Sequence, residues 1–238
     1  MRLHIYKNIA NVVSILGILP LFVLFKENGF QYLIPLIIYN NAMDDLDGIL
    51  AAKLNIKSEF GASLDNVCDA IAHSAIVMAV GVHFGPTCTV VSLVAVTAVV
   101  WRLVSRLDPQ NISGAGSPTN ELIRHIFFVL VFQQSYTFSA SPYLIALFLL
   151  HSVSMLVPYR MPYLIRGMTK SALAVSLVNM SMVIAWLVPT TTPVIAASFM
   201  MSYMCSLIVA FVQRDSELSR ADDYALNSPS TKDITPIN

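Results

Sequence analysis

Turn signals divide this chain into eight apolar segments of helical length, near 8–25, 31–53, 62–83, 87–106, 121–138, 141–157, 168–188 and 193–213. Hydrocarbon offers a backbone no hydrogen bonds, so only helices or closed barrels cross it. A helix that spans the layer needs about 17 to 25 apolar residues. The breaks fall at Lys26-Glu27-Asn28, Gly85-Pro86, Ser139 to Pro142 and Pro189 to Pro193, where turn-forming residues belong. The expected fold is therefore all-α, a polytopic membrane helical bundle of about eight transmembrane helices over residues 1–213. Residues 214–238, rich in Asp, Ser and other polar side chains, are expected to form a disordered tail. Charged residues make up only 12% of the chain, against about 25% in soluble domains. The start, MRLHIYKN, is a short basic flank without a small-residue cleavage site, so the first span is expected to be retained. Cys68, Cys88 and Cys205 have no metal-ligand spacing and read as small apolar fillers. A net charge of zero gives no electrostatic footprint for nucleic acid.

Lysine and arginine set the orientation, because they accumulate on the cytoplasmic side of a membrane. With the N-terminus inside, that side holds Arg2, Lys7, Lys53, Lys57, Arg102, Arg106, Arg124, Arg160, Arg166, Lys170, Arg214, Arg220 and Lys232, and the far side holds Lys26 alone. An odd number of spans would destroy this asymmetry. Both termini are expected in the cytoplasm.

Within the apolar background lies an acidic stretch. Span two ends in Asp44, Asp45, Asp47 and Gly48, and span three begins with Gly61, Asp65 and Asp69. An aspartate at the centre of a membrane helix costs about 2.5 to 3.5 kcal/mol. Five of them imply an offsetting positive charge, and divalent metal is the obvious source because hard cations take oxygen ligands. Asp44 and Asp47 are three apart and Asp65 and Asp69 four apart, so each pair shares a helix face. Two antiparallel neighbours would present them to one another near the cytoplasmic face. That arrangement suits two metal ions roughly 3.5 to 4 Å apart. Asp45 lies about 100° off that face and reads as an outer or solvated carboxylate. Gly48 leaves the helix surface bare for a bulky ligand, and Gly61 opens span three the same way.

These residues resemble the CDP-alcohol phosphotransferases, also called CDP-alcohol phosphatidyltransferases. That family's signature runs D-x2-D-G-x2-A-R-x8-G-x3-D-x3-D. The chain supplies Asp44, Asp47, Gly48, Ala51, Gly61, Asp65 and Asp69 at the right intervals, with Ala52 where the family has arginine. Asn8-Ile9-Ala10-Asn11-Val12-Val13-Ser14 is similar to the family's N-I-P-N-x-x-T opening. The resemblance implies that Asp44, Asp47, Asp65 and Asp69 hold two Mg²⁺ or Mn²⁺ ions. It implies that Gly48, Ser58 and Gly61, with position 52, contact the CDP part of a CDP-linked lipid. Asp69 would also take the proton from an acceptor alcohol, whose oxygen attacks the lipid-side phosphorus as CMP leaves. Ala52 cannot make the arginine's contacts, and Lys57 in the turn is the cation nearest in sequence able to substitute. The resemblance further implies a phospholipid-synthesising enzyme of the bacterial inner membrane with its site facing the cytoplasm, membrane lipids around it, and the homodimer common in the family.

For the acceptor, the count of eight spans resembles the phosphatidylserine synthase branch. So do Ser58-Glu59-Phe60-Gly61 with Leu64-Asp65, the patch from Trp101-Arg102 to Arg106, and Leu156 to Pro162. Serine is the favoured acceptor, with glycerol 3-phosphate, inositol phosphate and choline as alternatives. Arg102 and Arg106 are candidates to bind it, Arg102 being a turn deeper. Each arginine taken singly, Arg124, Arg160 and Arg166 included, reads first as a headgroup anchor. His73 follows Asp69 by one turn and reads as a satisfied interior histidine or an outer partner of the site. His125 and His151 have no metal partner in the sequence, and Asn40 and Asn41 sit one turn before Asp44. Two other readings stay open. One is an ion-coupled transporter, whose carboxylates usually lie near the midplane at helix breaks. The other is a catalytically impaired relative lacking the family arginine.

Overall fold

The computed structural model describes residues 8–107, 118–157, 161 and 172–227, with side chains as far as 213. Among these residues the chain is helical throughout and contains no strand. We label the α-helices α1 (Ile9–Ile18), α2 (Leu33–Lys53), α3 (Glu59–His83), α4 (Pro86–Leu107), α5 (Pro118–Ser135), α6 (Ser141–Leu156), α7 (Ala172–Leu187) and α8 (Thr192–Asn227). Each of the eight apolar segments overlaps one of them. Pro20 has no N–H to donate, and from Leu19 to Phe25 the first segment continues as a 3₁₀ helix.

Some bounds move for local reasons. Helix α3 starts at Glu59, earlier than its apolar run, because Ser58 caps it: the Gly61 N–H donates to Ser58 Oγ at 3.0 Å. Helix α5 starts at Pro118, a residue suited to a first helical turn, and ends at Ser135 rather than 138. The last helix continues past 213 to Asn227.

Three stretches are long and apolar enough to cross a membrane: Glu59–His83, Pro86–Leu107 and Pro189–Gln213. Ile9–Phe25, Ser141–Leu156 and Ala172–Leu187 are apolar but shorter. Helix α2 has the length, but three of its residues are Asp44, Asp45 and Asp47. The surface differs from that of a water-soluble bundle, and several polar side chains are buried. Leu19, Phe22, Val90, Leu173, Val194 and Met201 are exposed, while Asn41, Asp47, Arg124, His125 and His151 are buried. Such an exterior matches hydrocarbon.

The interior is apolar away from the acidic end, with Ile37, Ile76, Val80, Ala98, Ile126, Phe127 and Phe148 in one cluster. Helices α3 and α4 form a tight hairpin. Gly85 turns it at φ +101, a backbone angle that favours glycine. A Cβ on Gly81 would lie 2.0 Å from Ser92 Oγ, so the helices approach closely there, as small residues permit in membranes. Thr89 Oγ1 donates to the Gly81 carbonyl at 3.0 Å across the same turn. A buried polar knot joins α5, α6 and α8. His125 Nδ1 and His151 Nε2 are 2.9 Å apart, and Tyr203 donates to Ser154 Oγ at 2.6 Å while stacking on His151.

Candidate active site

The site is built where the C-terminal end of α2 meets the N-terminal turns of α3. Asp44, Asp47 and Asp65 each offer a carboxylate oxygen, and these oxygens lie within 4.8 Å of one another. Asp69, one turn further along α3, is half-buried and lies beside Asp44 and Asp65. It stands outside the three-way convergence. Among the described residues the direct hydrogen-bond donors are neutral: Ser14 Oγ on α1 donates to Asp47 Oδ2, and Asn120 Nδ2 on α5 donates to Asp44 Oδ2 at 2.9 Å. Crowded carboxylates in a low-dielectric setting repel strongly, and oxygen-only donors suit a hard divalent cation. The residues present therefore fit such an ion.

Asp45 is neither solvated nor part of this convergence. It is buried and points to α7, where Asn179 Nδ2 donates to its Oδ2 at 2.7 Å. Asn41 Nδ2 donates to the same oxygen at 3.3 Å and to Asn179 Oδ1 at 2.8 Å. Arg124 Nε on α5 donates to Asn41 Oδ1 at 3.1 Å, and Arg124 also pairs with Glu121 at 2.7 Å. Asn40, by contrast, turns to α1 and donates to the Gly17 carbonyl at 3.4 Å.

The glycines differ. A Cβ on Gly48 would meet nothing within 4 Å, whereas one on Gly61 would meet Asn11 Oδ1 at 3.0 Å and Ser58 Oγ at 3.1 Å. The surface over Gly48 is open, and the space over Gly61 is filled by α1 and the helix cap. Ala52, Lys53 and Lys57 are exposed.

The arginines depart from the anchor reading. Arg102 is 6% exposed and Arg124 2%, so both side chains are covered by protein rather than open to headgroups. Arg106 Nη1 donates to Asn66 Oδ1 at 3.0 Å, which brings it beside Asp65. His73 is buried, and its Nδ1 has no hydrogen-bond partner among the described residues. Arg2, Lys7, Arg160, Arg166, Lys170 and Lys232 lie outside the described residues, as does most of the junction from Leu156 to Pro162.

The CDP-alcohol phosphatidyltransferase family model matches residues 7–214. The chain belongs to this family. Over 83 residues it is also 34% identical to an uncharacterized protein of Aquifex aeolicus (strain VF5). That stretch is 33% of this chain and spans 42% of the relative's length. CDP-alcohol phosphatidyltransferases are membrane-embedded, use a divalent metal and transfer a phosphatidyl group from a CDP-alcohol to an acceptor. With three helices long and apolar enough to cross a bilayer, this member of the family is a membrane protein.

Sequence reasoning missed Asn120, Asn179 and the role of Arg124. Each is a polar residue inside an otherwise apolar span, and that was the available signal.

Proposed function

We propose that this protein transfers the phosphatidyl group of CDP-diacylglycerol to a small alcohol, serine being favoured, with release of CMP. The convergence of Asp44, Asp47 and Asp65 from two helices carries the reading. Those three residues, completed by Asp69, would hold two Mg²⁺ or Mn²⁺ ions. When bound, such ions neutralise charge on the pyrophosphate and on the departing CMP. Ser14 and Asn120 fix the carboxylates that would do the holding. The open surface at Gly48 leaves room for the CDP moiety near the α2 backbone, with Ala52, Ser58 and Gly61 bordering the same end of the bundle.

Asp69 acts as general base in this account. Its carboxylate takes the acceptor's hydroxyl proton. The acceptor oxygen forms a bond to the lipid-side phosphorus, and the bond from that phosphorus to the CMP oxygen breaks. Arg102 and Arg106 supply positive charge for an acceptor carboxylate or phosphate. The choice of serine rests on the Ser58 to Asp65 segment, the Arg102 to Arg106 patch and the number of apolar segments. The protein would lie in a bacterial inner membrane with eight spans and the site toward the cytoplasm. In keeping with that, Lys53, Lys57, Arg102, Arg106 and Arg124 lie at the site end of the bundle and Lys26 at the other.

The test is an acceptor screen. Purified protein, labelled CDP-diacylglycerol and Mn²⁺ should yield a labelled lipid with serine and release CMP, and Asp69→Asn should abolish both. A labelled product with glycerol 3-phosphate, inositol phosphate or choline instead would reassign the acceptor. No product with any of them would remove the enzymatic reading.

Ala52 favours one second reading, that of a relative which kept the fold without the activity. Arginine and alanine are not exchangeable where a planar fork binds phosphate. If CMP appears only after Ala52→Arg, the natural chain is not a working enzyme on this lipid.

A further inference from the structure

Helix α2 must hold its carboxylates at a definite rotation, and lipid cannot set that rotation. Neighbouring helices and acyl chains are equally apolar, so no hydrophobic difference orients a helix in a bilayer. Precision matters here. A turn of about 20° moves a group roughly 5 Å from the axis by about 2 Å. Metal–ligand distances tolerate only about 0.2 Å.

We infer that Asn179, Asp45, Asn41 and Arg124 form a positioning network that fixes the rotation of α2 and so aims Asp44 and Asp47 at Asp65. The network rests on a consistent set of donors and acceptors. Arg124 can only donate, so its Nε–H sets the Asn41 carbonyl toward α5. The Asn41 amide group then faces Asp45 and Asn179, and the Asn179 amide group donates to Asp45. Asn179 is itself held by the Val175 carbonyl at 3.1 Å, within α7. A positive end on α5 and a negative end on α2 are thus joined through two amides whose orientations leave no choice. The same α5 carries Asn120, one turn before Arg124, and Asn120 donates to Asp44. One helix therefore grips α2 twice, once at the carboxylate facing the site and once through the layer behind it. Asp45 lies outside the Asp44–Asp47–Asp65 convergence and is a positioning residue, not a ligand.

This inference rests on the metal reading above, and the experiment separates the two. Mn²⁺ binding to the full chain in lipid nanodiscs, without substrate, is followed by the resonance signal of the free ion. Asn179→Ala removes the donor to Asp45 and the acceptor of Asn41 and leaves every charge in place. It should weaken Mn²⁺ binding about tenfold, the lower end for loss of an outer partner of a metal site. The exchange Asp45→Asn with Asn179→Asp moves the carboxylate to α7 and lets both amides donate to it again. It should bind Mn²⁺ within about threefold of the natural chain, as context-limited coupling between neighbours allows. A recovery of that kind distinguishes hydrogen-bonded alignment from simple packing. Should Asn179→Ala fold poorly, the exchange variant alone still decides. Natural-strength Mn²⁺ binding by Asn179→Ala, or loss of binding in a folded exchange variant, overturns the inference. No Mn²⁺ binding by the natural chain would instead sink the metal reading itself.

Discussion

Asp47 shows how the site works at the scale of one residue. It is buried, it shares space with two other carboxylates, and a serine from another helix donates to it. Ser14 and Asn120 are the direct neutral partners of the cluster, so each should tune its affinity for metal. Outer partners of this kind are worth about 10- to 100-fold in metal affinity or activity. Ser14→Ala and Asn120→Ala are expected to raise the Mn²⁺ concentration for half-maximal CMP release by that range. An unchanged Mn²⁺ requirement in both would show that the cluster is held by other means. The convergence of Asp44, Asp47 and Asp65 was legible because their spacing puts them on helix faces, whereas Ser14 stood only in a family-like opening that did not tie it to Asp47. Asn120, Arg124 and Asn179 were not. Their partners are 76, 83 and 134 residues away along the chain, and one sequence carries no record of such pairings. Asp45 was placed off the metal face by the helical period, but the period could not say that α7 would cover it.

At the scale of elements, each apolar segment proved to overlap a helix, because apolar runs between turn residues have no better way to satisfy their backbone. The ends were less legible. Ser58 drew α3 back to Glu59 through a side-chain cap, and Pro20 converted the end of the first segment to 3₁₀ geometry. Close packing between helices was also hidden, since nothing in the sequence says that Gly81 faces Ser92. The contact gives a stability prediction. A methyl group at position 81 would overpack the α3–α4 hairpin, and overpacking costs about 1 to 3 kcal/mol. Gly81→Ala should lower the unfolding temperature in detergent, and Ser92→Gly added to it should return most of the loss. Equal stability of Gly81→Ala and the natural chain would mean that the two helices sit further apart.

For the whole molecule, the apolar exterior and the polar and charged groups buried at the site end fit a bundle in lipid, and the lysines and arginines of the described helices gather at that end. The proposed eight-span arrangement makes a labelling prediction. In a Cys205→Ser background, where Cys68 and Cys88 remain buried, Lys26→Cys should react with an impermeant maleimide from outside intact cells. Lys57→Cys should react only after the membrane is opened. Labelling of both from one side would refute the topology. The account as a whole turns on one measurement, CMP release from CDP-diacylglycerol by the purified protein before and after removal of divalent metal. It predicts release with Mn²⁺ or Mg²⁺, none after chelation, and recovery when the ion is returned. Release that continues undiminished in excess chelator would contradict it.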